Sequence, residues 1–410
     1  MDAEPVKGNL IASPVDLQVV RAAVLKAIGE LRPAGAPESE AEARGIFLAS
    51  RTKGGRDLPP YYLVYFLFVD LLGFPNWGQS EKVAWTVPVR FQGKLYVIEH
   101  CKMGLGIFAP TLEPNATTNA VPSKEAEADS QIIASLIKNG IAAAKPYFEW
   151  RAEQAAFGVH LNVVNNSVWL FNRYVFFRER FKALTAEAII RKSEKVTVET
   201  KLEEIMASFS FQASNLRQEA KWNAQAAVDA FFSWTEHVFI HLAILQGQLH
   251  TGIDIAGIAA AEWKMKFKTA LDLNDRETKK HYDKLFILRL QVRNFMAHGA
   301  FGKRGEAFRF HSGAGAVPVL LTESPEHRFS LTGEPGFDEG LAIAEIEEFI
   351  QHLWSGARLP AREYIFSGLP AILTHVTDGT YNRAMRSVEA MKEFVEKLSC
   401  HFDRAANMDW

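Results

Sequence analysis

The sequence predicts a mainly α-helical protein, in which a helical bundle follows a small α+β N-terminal domain containing a β-meander. Three observations predict this class. Apolar residues recur at three- and four-residue spacing over most of 124–298 and 341–404. Short β-type runs separated by turn residues occupy 83–109 instead. A stretch rich in Gly, Ser and Pro, 301–338, interrupts the second half and contains further short β-type runs.

Length and composition fit an ordinary globular protein of more than one domain. The chain has 410 residues, of which 48% are hydrophobic and 23% charged. We place an α+β domain at 1–145, as a sensor or docking module, and a helical domain at 146–410 with a β insertion near 301–338. The net charge of -2, from 46 basic and 48 acidic residues, excludes a generally basic nucleic-acid coat but allows a local basic site.

The cysteines and the apolar runs predict a cytoplasmic protein without metal, cofactor or membrane partner. Cys101 and Cys400 form no metal-ligand spacing, so we expect free thiols in a reducing compartment. The N-terminus lacks the apolar core of a signal peptide. The most apolar run, 61–74, is interrupted by Asp70 and is shorter than the roughly 20 residues that span a bilayer.

The N-terminal elements follow from local patterns. Residues 15–31 repeat apolar positions at helical spacing. Pro59 and Pro60 open an apolar helix that ends before Pro75. Three β-type runs come next, with Gln92-Gly93 as a turn between the first two, and they predict the β-meander. These runs are 83–89, 94–99 and 105–109.

The remaining helices are read from apolar periodicity and breaker residues. Before the β insertion we predict helices over 124–144, 145–158, 160–183, 185–193, 198–220, 222–248, 255–271 and 276–298. After it we predict helices over 341–355, 360–373 and 380–404.

The helix 276–298 carries two distinct faces. Asp275 can cap its start and Gly299 can end it. One face is apolar and should pack inward: Tyr282, Leu285, Leu288, Val292 and Phe295. A second face is polar and partly basic and ends in a histidine: Lys280, Lys284, Gln291, Asn294 and His298.

The end of this helix combines residues suited to RNA transesterification, in which a ribose 2′-OH attacks the adjacent phosphate. His298 can move protons near neutral pH, and a last-turn position favours its protonated form. Arg293 can bind the phosphate bidentately, and Asn294 can orient the imidazole or contact the sugar. Arg293 and His298 are five residues apart, roughly 140° around a helix, so one straight helix does not aim both at one target.

The spelling R-N-x-x-x-H at 293–298, on an amphipathic helix and followed by Gly299, resembles the Rx4-6H motif of the HEPN superfamily. The earlier segment AQAAVDAFFSWTEHVFIHLAIL is similar to the other long helix of that bundle. The resemblance implies a metal-independent endoribonuclease, acting as a toxin or anti-phage effector. It also implies a homodimer with a composite active site, and an antitoxin or activator as a further partner.

Carried over residue by residue, the resemblance makes Arg293 and His298 the catalytic pair, Asn294 the polar residue after the arginine, and Glu236 the acidic residue near the motif. We assign RNA contacts to the polar face and the loop that follows it. These residues are Lys280, Lys284, Gln291, Lys303 and Arg304.

Several alternatives stay open. Arg304 and His311 also satisfy the motif spelling, but in a Gly-rich stretch without helical pattern. A non-catalytic HEPN-like module that binds RNA or supports assembly is the second interpretation. An active site in the N-terminal β-region is the third, although Glu99 and Lys102 are three apart and would point oppositely on a strand. We interpret His237 and His241 as polar residues of a helix and not as metal ligands, because the sequence supplies no further ligands near them.

Aromatic residues alternate with arginines in the predicted helix 160–183. They could stack bases and hold phosphates. We favour a core helix with a charged outer edge, because aromatic stripes at helical spacing are more often buried. The residues are Trp169, Phe171, Tyr174, Phe176, Phe177 and Phe181, with Arg173, Arg178 and Arg180.

Overall fold

The computed structural model describes residues 15–111, 121–192, 212–298 and 338–410, with short pieces at 196–197 and 209–210 and within 309–331. The protein is mainly helical, with a five-stranded antiparallel sheet in its N-terminal part, which confirms the predicted class at that level. Within the described ranges, no helix is long and apolar enough to cross a membrane.

The chain divides into two compact units, Met1–Phe157 with Lys397–Trp410, and Gly158–Glu396. These units divide at 157/158, whereas the sequence predicts a division at 145/146. The helix after that point belongs with the first unit because Tyr147 is buried in its core. The C-terminal residues also belong there, since the Trp410 Nε1–H donates to the Val83 carbonyl oxygen at 2.9 Å. Neither contact has a local sequence signal.

The first unit is built on the sheet. Its strand order is β1-β3-β4-β5-β2, and every pairing is antiparallel. Gln92 and Gly93 join the central hairpin with positive φ angles of 50° and 77°, the geometry of a two-residue primed turn. The predicted β-meander is confirmed. The strands are β1 Arg32–Pro33, β2 Ser50–Arg51, β3 Val83–Phe91, β4 Lys94–Cys101 and β5 Gly104–Ala109.

The helices within 17–27, 61–71 and 124–157 pack on one face of this sheet around a single apolar core. The helix at 40–47 instead pairs its Glu42 with Arg90 on the other face. α1 and α4 pack closely because Gly140 has no side chain, and an added Cβ would lie 2.6 Å from Cγ2 of Ile28. A π-helical segment, Phe66–Leu71, continues α3 and buries Leu67, Phe68 and Leu71. The helices are α1 Leu17–Ala27, α2 Glu40–Phe47, α3 Tyr61–Tyr65, α4 Lys124–Ala143 and α5 Lys145–Phe157.

The second unit is a bundle of helices around α7. Its helices are α6 Ser167–Ile190, α7 Gln212–Leu245, α8 Gly252–Ala260, α9 Trp263–Ala270, α10 Arg276–His298, α11 Glu339–Leu353, α12 Leu359–Ser367, α13 Thr374–Thr377, α14 Thr380–Ala384 and the start of α15 Val388–Asn407. α7 packs against α6, α8, α9, α10, α11 and α12, so it lies at the centre. The core there is largely aromatic and includes Trp234, Phe239 and Phe349.

Several predicted helix boundaries are wrong. The two helices predicted over 160–193 are one helix, α6, because Leu184 continues the buried side across the predicted break. α7 begins at Gln212, inside the helix predicted to end at 220. The helix predicted over 255–271 is two helices, α8 and α9, since Ala261 has an extended backbone with ψ 159°.

The described residues also form three short antiparallel strand pairs. β6 Asn162–Val163 pairs with β11 Ala371–Ile372, and β7 Val196–Thr197 pairs with β8 Phe209–Ser210. β9 Arg309–Phe310 pairs with β10 Val319–Leu320. This last pair lies within the predicted β insertion, most of which is outside the described residues.

Candidate functional site

The helix that carries the motif begins and ends where the sequence predicts. Asp275 caps α10, since its Oδ2 accepts hydrogen bonds from the backbone N–H and the hydroxyl of Thr278 at 3.0 and 2.6 Å. The helix runs to His298, so Arg293, Asn294 and His298 all lie in its last two turns. The side chains of these three residues, and all of Lys303 and Arg304, lie outside the described residues.

The described part of the apolar face of α10 packs inward as predicted, while the Phe295 side chain lies outside the described residues. Leu285, Leu288 and Val292 are buried against neighbouring helices. The Tyr282 ring stacks on Trp263 with ring centroids 6.1 Å apart and an interplanar angle of 12°. This packing orients α10 about its axis. Of the predicted polar face, Lys280 is exposed, and Lys284 and Gln291 are half-buried.

Glu236 on α7 is placed one helical turn from the motif by an ion-pair cluster. Its Oε1 accepts a hydrogen bond from Arg289 Nη2 at 2.9 Å, and its Oε2 accepts one from Lys266 Nζ at 2.7 Å. Arg289 precedes Arg293 by four residues on α10 and therefore shares its side of the helix. Glu236, the predicted acidic residue, is therefore paired with Arg289, and through its two ion pairs it links α7, α9 and α10.

The cluster is shielded from solvent to different degrees. The Lys266 side chain is only 6% exposed, whereas that of Glu236 is 31% exposed. The Arg289 guanidinium lies 5.6 Å from the Phe232 ring and 5.7 Å from the Trp263 ring. Its Nη1 is buried and has no hydrogen-bond partner among the described residues. Two cations therefore share one carboxylate beside the end of α10.

The predicted RNA-contacting lysines have acidic neighbours. Lys280 Nζ lies 3.8 Å from a Glu277 carboxylate oxygen on the same helix. Lys284 Nζ lies 3.2 Å from Glu345 and 4.0 Å from Glu348, both on α11. Gln291 is half-buried on α10. The polar face therefore carries less net positive charge than its lysines alone suggest.

The two histidines of α7 are held as neutral polar groups. The backbone N–H of Asn166 donates to His237 Nε2 at 2.9 Å, and His241 Nε2 donates to the Val164 carbonyl oxygen at 3.2 Å. Burial lowers the pKa of His237 to about 4 and that of His241 to about 3. Over the described ranges, no group of three or more His, Cys, Asp and Glu side chains is arranged to hold a metal ion.

Among the described residues, neither Lys102 nor Asp70 is a hydrogen-bond or ion-pair partner of Glu99. Burial raises the pKa of Glu99, whose Oε2 lies 3.5 Å from the Thr86 hydroxyl across the strand pair. Lys102 Nζ donates to Asn407 at 3.3 Å, and the Asp70 carboxylate accepts hydrogen bonds from Tyr147 and Arg151. Glu99, Lys102 and Asp70 therefore each have separate partners.

The sequence interpretation of α6 as a core helix is wrong for part of its aromatic side chains. Tyr174 is buried, but Trp169 is 67% exposed and Phe176 is 64% exposed. Among the described helices, α6 packs mainly against α7 and α12, and Trp169 and Phe176 lie on a side that these two do not cover. Helical spacing predicts which residues share one side of a helix, but it does not tell which side another helix packs against.

Two further site residues, Lys266 and Arg289, were also missed. Arg289 had a usable signal, since it lies one turn before Arg293. Lys266 had none, because it is 30 positions from Glu236 and only the tertiary structure brings them together.

The chain matches no protein-family model, no curated protein and no solved structure.

Proposed function

We propose that this protein is a metal-independent endoribonuclease of the HEPN type. The observation that carries the proposal is the position of the R-N-x-x-x-H motif in the last two turns of α10, a helix packed in a bundle and held beside Glu236 by Arg289. The ribose 2′-oxygen forms a bond to phosphorus, the bond from phosphorus to the 5′-oxygen breaks, and a 2′,3′-cyclic phosphate remains on the upstream fragment.

Each residue of the motif has a role in this reaction. His298 transfers the proton, either taking it from the 2′-OH or delivering it to the leaving 5′-oxygen. Arg293 binds the phosphate and stabilises the negative charge of the transition state. Asn294, four residues before His298, lies on its face of the helix and orients the imidazole or contacts the sugar.

The second proton-transfer group comes from a second copy of the chain in this proposal. Arg293 and His298 lie roughly 140° apart on one helix, so a composite cleft across a homodimer brings both to one phosphate. A HEPN-like bundle, a cytoplasmic location and a toxin or anti-phage role, with an antitoxin or activator, belong to the same proposal.

Glu236 is a positioning residue here. It holds Arg289, which lies one turn before Arg293 and adds a cation near the proposed phosphate site. Loss of Glu236 would release Arg289 and leave the buried Lys266 without its carboxylate. We therefore expect Glu236 to affect the position of the α10 end rather than proton transfer.

The test is cleavage of single-stranded RNA in EDTA, with the product ends identified by mass spectrometry. Arg293→Ala and His298→Ala should each lower the rate by about 10²-fold or more, since acid–base and charge-stabilising groups contribute on that scale. Arg293→Lys should cleave little faster than Arg293→Ala, because a lysine lacks the two parallel N–H donors with which an arginine binds a phosphate. His311→Ala is the matched control, from the second motif spelling, and should cleave normally.

Cleavage that survives both Arg293→Ala and His298→Ala would contradict the proposal. RNA binding with no cleavage by the wild-type protein would favour the non-catalytic module. Cleavage that needs a divalent metal and is lost in Glu99→Gln would favour the N-terminal site instead.

A further inference from the structure

One side of α6 presents aromatic and guanidinium groups in alternation. Trp169, Arg173, Phe176 and Arg180 are spaced by four, three and four residues, which places them within roughly 60° of one another around the helix axis. Trp169 and Phe176 are the exposed aromatic residues described above, and Arg180 is exposed as well. Large aromatic side chains rarely stay exposed in a row without a partner.

Helix α7 adds a third ring to this side. α6 and α7 are antiparallel, since Asn166 contacts His237 and Arg173 contacts Asp229. Trp222 lies seven residues before Asp229 on the same side of α7, which brings it level with Arg180 on α6. Trp222 is 60% exposed. We call Trp169, Arg173, Phe176, Arg180 and Trp222 the aromatic–arginine face.

The charges of this face favour an anionic partner. Arg173 Nη2 lies 3.2 Å from an Asp229 carboxylate oxygen, with side-chain exposures of 38% and 56%, so this ion pair is weak and open to displacement. Arg180 pairs with no carboxylate among the described residues. Further along α6, Glu187 is occupied by Arg191 at 2.8 Å. The face therefore offers two guanidinium groups.

We propose that the aromatic–arginine face binds single-stranded RNA, with unpaired bases stacked on its rings and phosphates held by Arg173 and Arg180. Trp169 and Phe176 lie about 10 Å apart along the helix, with a guanidinium between them. Stacking of bases on aromatic rings beside cationic groups is how proteins hold single strands without reading sequence. A duplex has its bases stacked on each other and cannot use the rings. This inference rests on the proposed function only in taking RNA as the partner.

A second copy of the chain fits this face less well. Two such faces in contact would place arginines of one copy near arginines of the other, and like charges at an interface disfavour association. Self-association through the face is therefore an outcome that the test must separate from RNA binding.

The experiment measures binding of a fluorescein-labelled, unstructured single-stranded RNA by anisotropy in the His298→Ala background, so that the RNA is not cut. Trp169→Ala/Phe176→Ala should weaken binding by at least about 10-fold, since each stacked base contributes substantially. The affinity for RNA falls as the salt concentration rises. In Arg173→Gln/Arg180→Gln the slope of log affinity against log salt should be less steep by roughly 1.4, or about 0.7 for each lost phosphate contact to a single strand. A duplex of the same sequence should bind much less tightly.

The matched control is Leu341→Ala/Lys392→Gln, which removes one exposed apolar and one exposed cationic side chain elsewhere in the same unit. It should bind RNA as the parent does. Thermal melts of all variants establish that they fold, which we expect because the changed side chains are exposed.

RNA affinity that is unchanged in Trp169→Ala/Phe176→Ala overturns the proposal, whatever the cleavage assay shows. If that variant instead converts a dimer to a monomer in sedimentation while RNA affinity is unchanged, the face binds a second copy and the RNA proposal is overturned. Binding lost with the face and no cleavage by the wild-type protein would support this inference while contradicting the proposed ribonuclease.

Discussion

Helices α6 and α7 have similar aromatic content but very different surroundings. Phe231, Trp234 and Phe239 of α7 are fully buried, whereas Trp169 and Phe176 of α6 are mostly exposed. Among the described residues, α7 contacts six other helices, and α6 packs mainly against two. An aromatic residue is buried when neighbours cover its side of the helix, not because the helix is rich in aromatic residues.

The difference extends to polar groups. α7 contributes Glu236 to an ion pair with the buried Lys266 and holds His241 in the interior. The ion pair of Arg173 on α6 with Asp229 is much more exposed. The central helix therefore contributes buried rings and charge pairs to the bundle, while the peripheral helix keeps Trp169 and Phe176 at the surface. Three measurements test this contrast.

The largest expected effect is on the buried tryptophan of α7. The Trp234 ring packs against Phe171, with centroids 4.8 Å apart, and against Phe231, Trp354 and Phe366. Trp234→Ala should lower the free energy of unfolding by about 3–5 kcal/mol because it leaves a cavity in the core. Trp169→Ala, the same substitution on α6, should change it by less than about 0.5 kcal/mol. Urea unfolding measures both, and similar losses would contradict the contrast.

The ion-pair cluster should give an intermediate effect. Glu236→Gln should lower the free energy of unfolding by about 1.5–3 kcal/mol, because the buried Lys266 loses a charged hydrogen-bond partner. Glu345→Gln removes the more exposed ion pair with Lys284 and should cost less than about 1 kcal/mol. Urea unfolding at pH 7 compares the two variants. Equal losses of unfolding free energy in the two variants would mean that the burial of Lys266 does not strengthen its ion pair with Glu236.

The smallest expected effect is the pH dependence due to His241. Its folded pKa of about 3 lies below the unfolded value of about 6.5, so the unfolded state binds the extra proton as pH falls. This contribution to stability is fully present above pH 6.5. It decreases by about 1.4 kcal/mol between pH 7.5 and 5.5.

The test of this pH dependence is the variant His241→Leu. It should lose about 1.4 kcal/mol less than wild type between pH 7.5 and 5.5, as measured by urea unfolding at the two values. His311→Ala, which removes an exposed histidine, should retain the wild-type pH dependence. If His241→Leu loses as much unfolding free energy between pH 7.5 and 5.5 as the wild-type protein, His241 is not the group responsible for this pH dependence.

The elements that the sequence predicted well have strong local signals. α10 begins at Arg276 and ends at His298 as predicted, because Asp275 caps it and an apolar stripe runs its length. The β-meander follows from β-type runs and the Gln92-Gly93 turn. Caps, turns and periodicity depend on residues close in the chain, so one sequence is enough to detect them.

The candidate site was predicted only in part. The motif and its helix were predictable, but the Glu236 cluster was not, since Arg289 is 53 positions from Glu236 and Lys266 is on a third helix. The α6 part of the aromatic–arginine face was visible as a pattern and was assigned to the wrong environment, and Trp222 of α7 had no such signal. Its exposure depends on which helices pack around α6, and no local pattern determines that.

By itself, the sequence determined the helical class, the β-meander, the bounds of α10 and the spacing of Arg293 and His298. Only the tertiary structure decided that α7 is central and α6 peripheral, that Glu236 joins Lys266 to Arg289, and that Lys397–Trp410 belongs with the first unit. The reason is physical. Helix and turn formation depend on neighbours in the chain, whereas burial and charge pairing depend on packing between segments that are far apart in sequence.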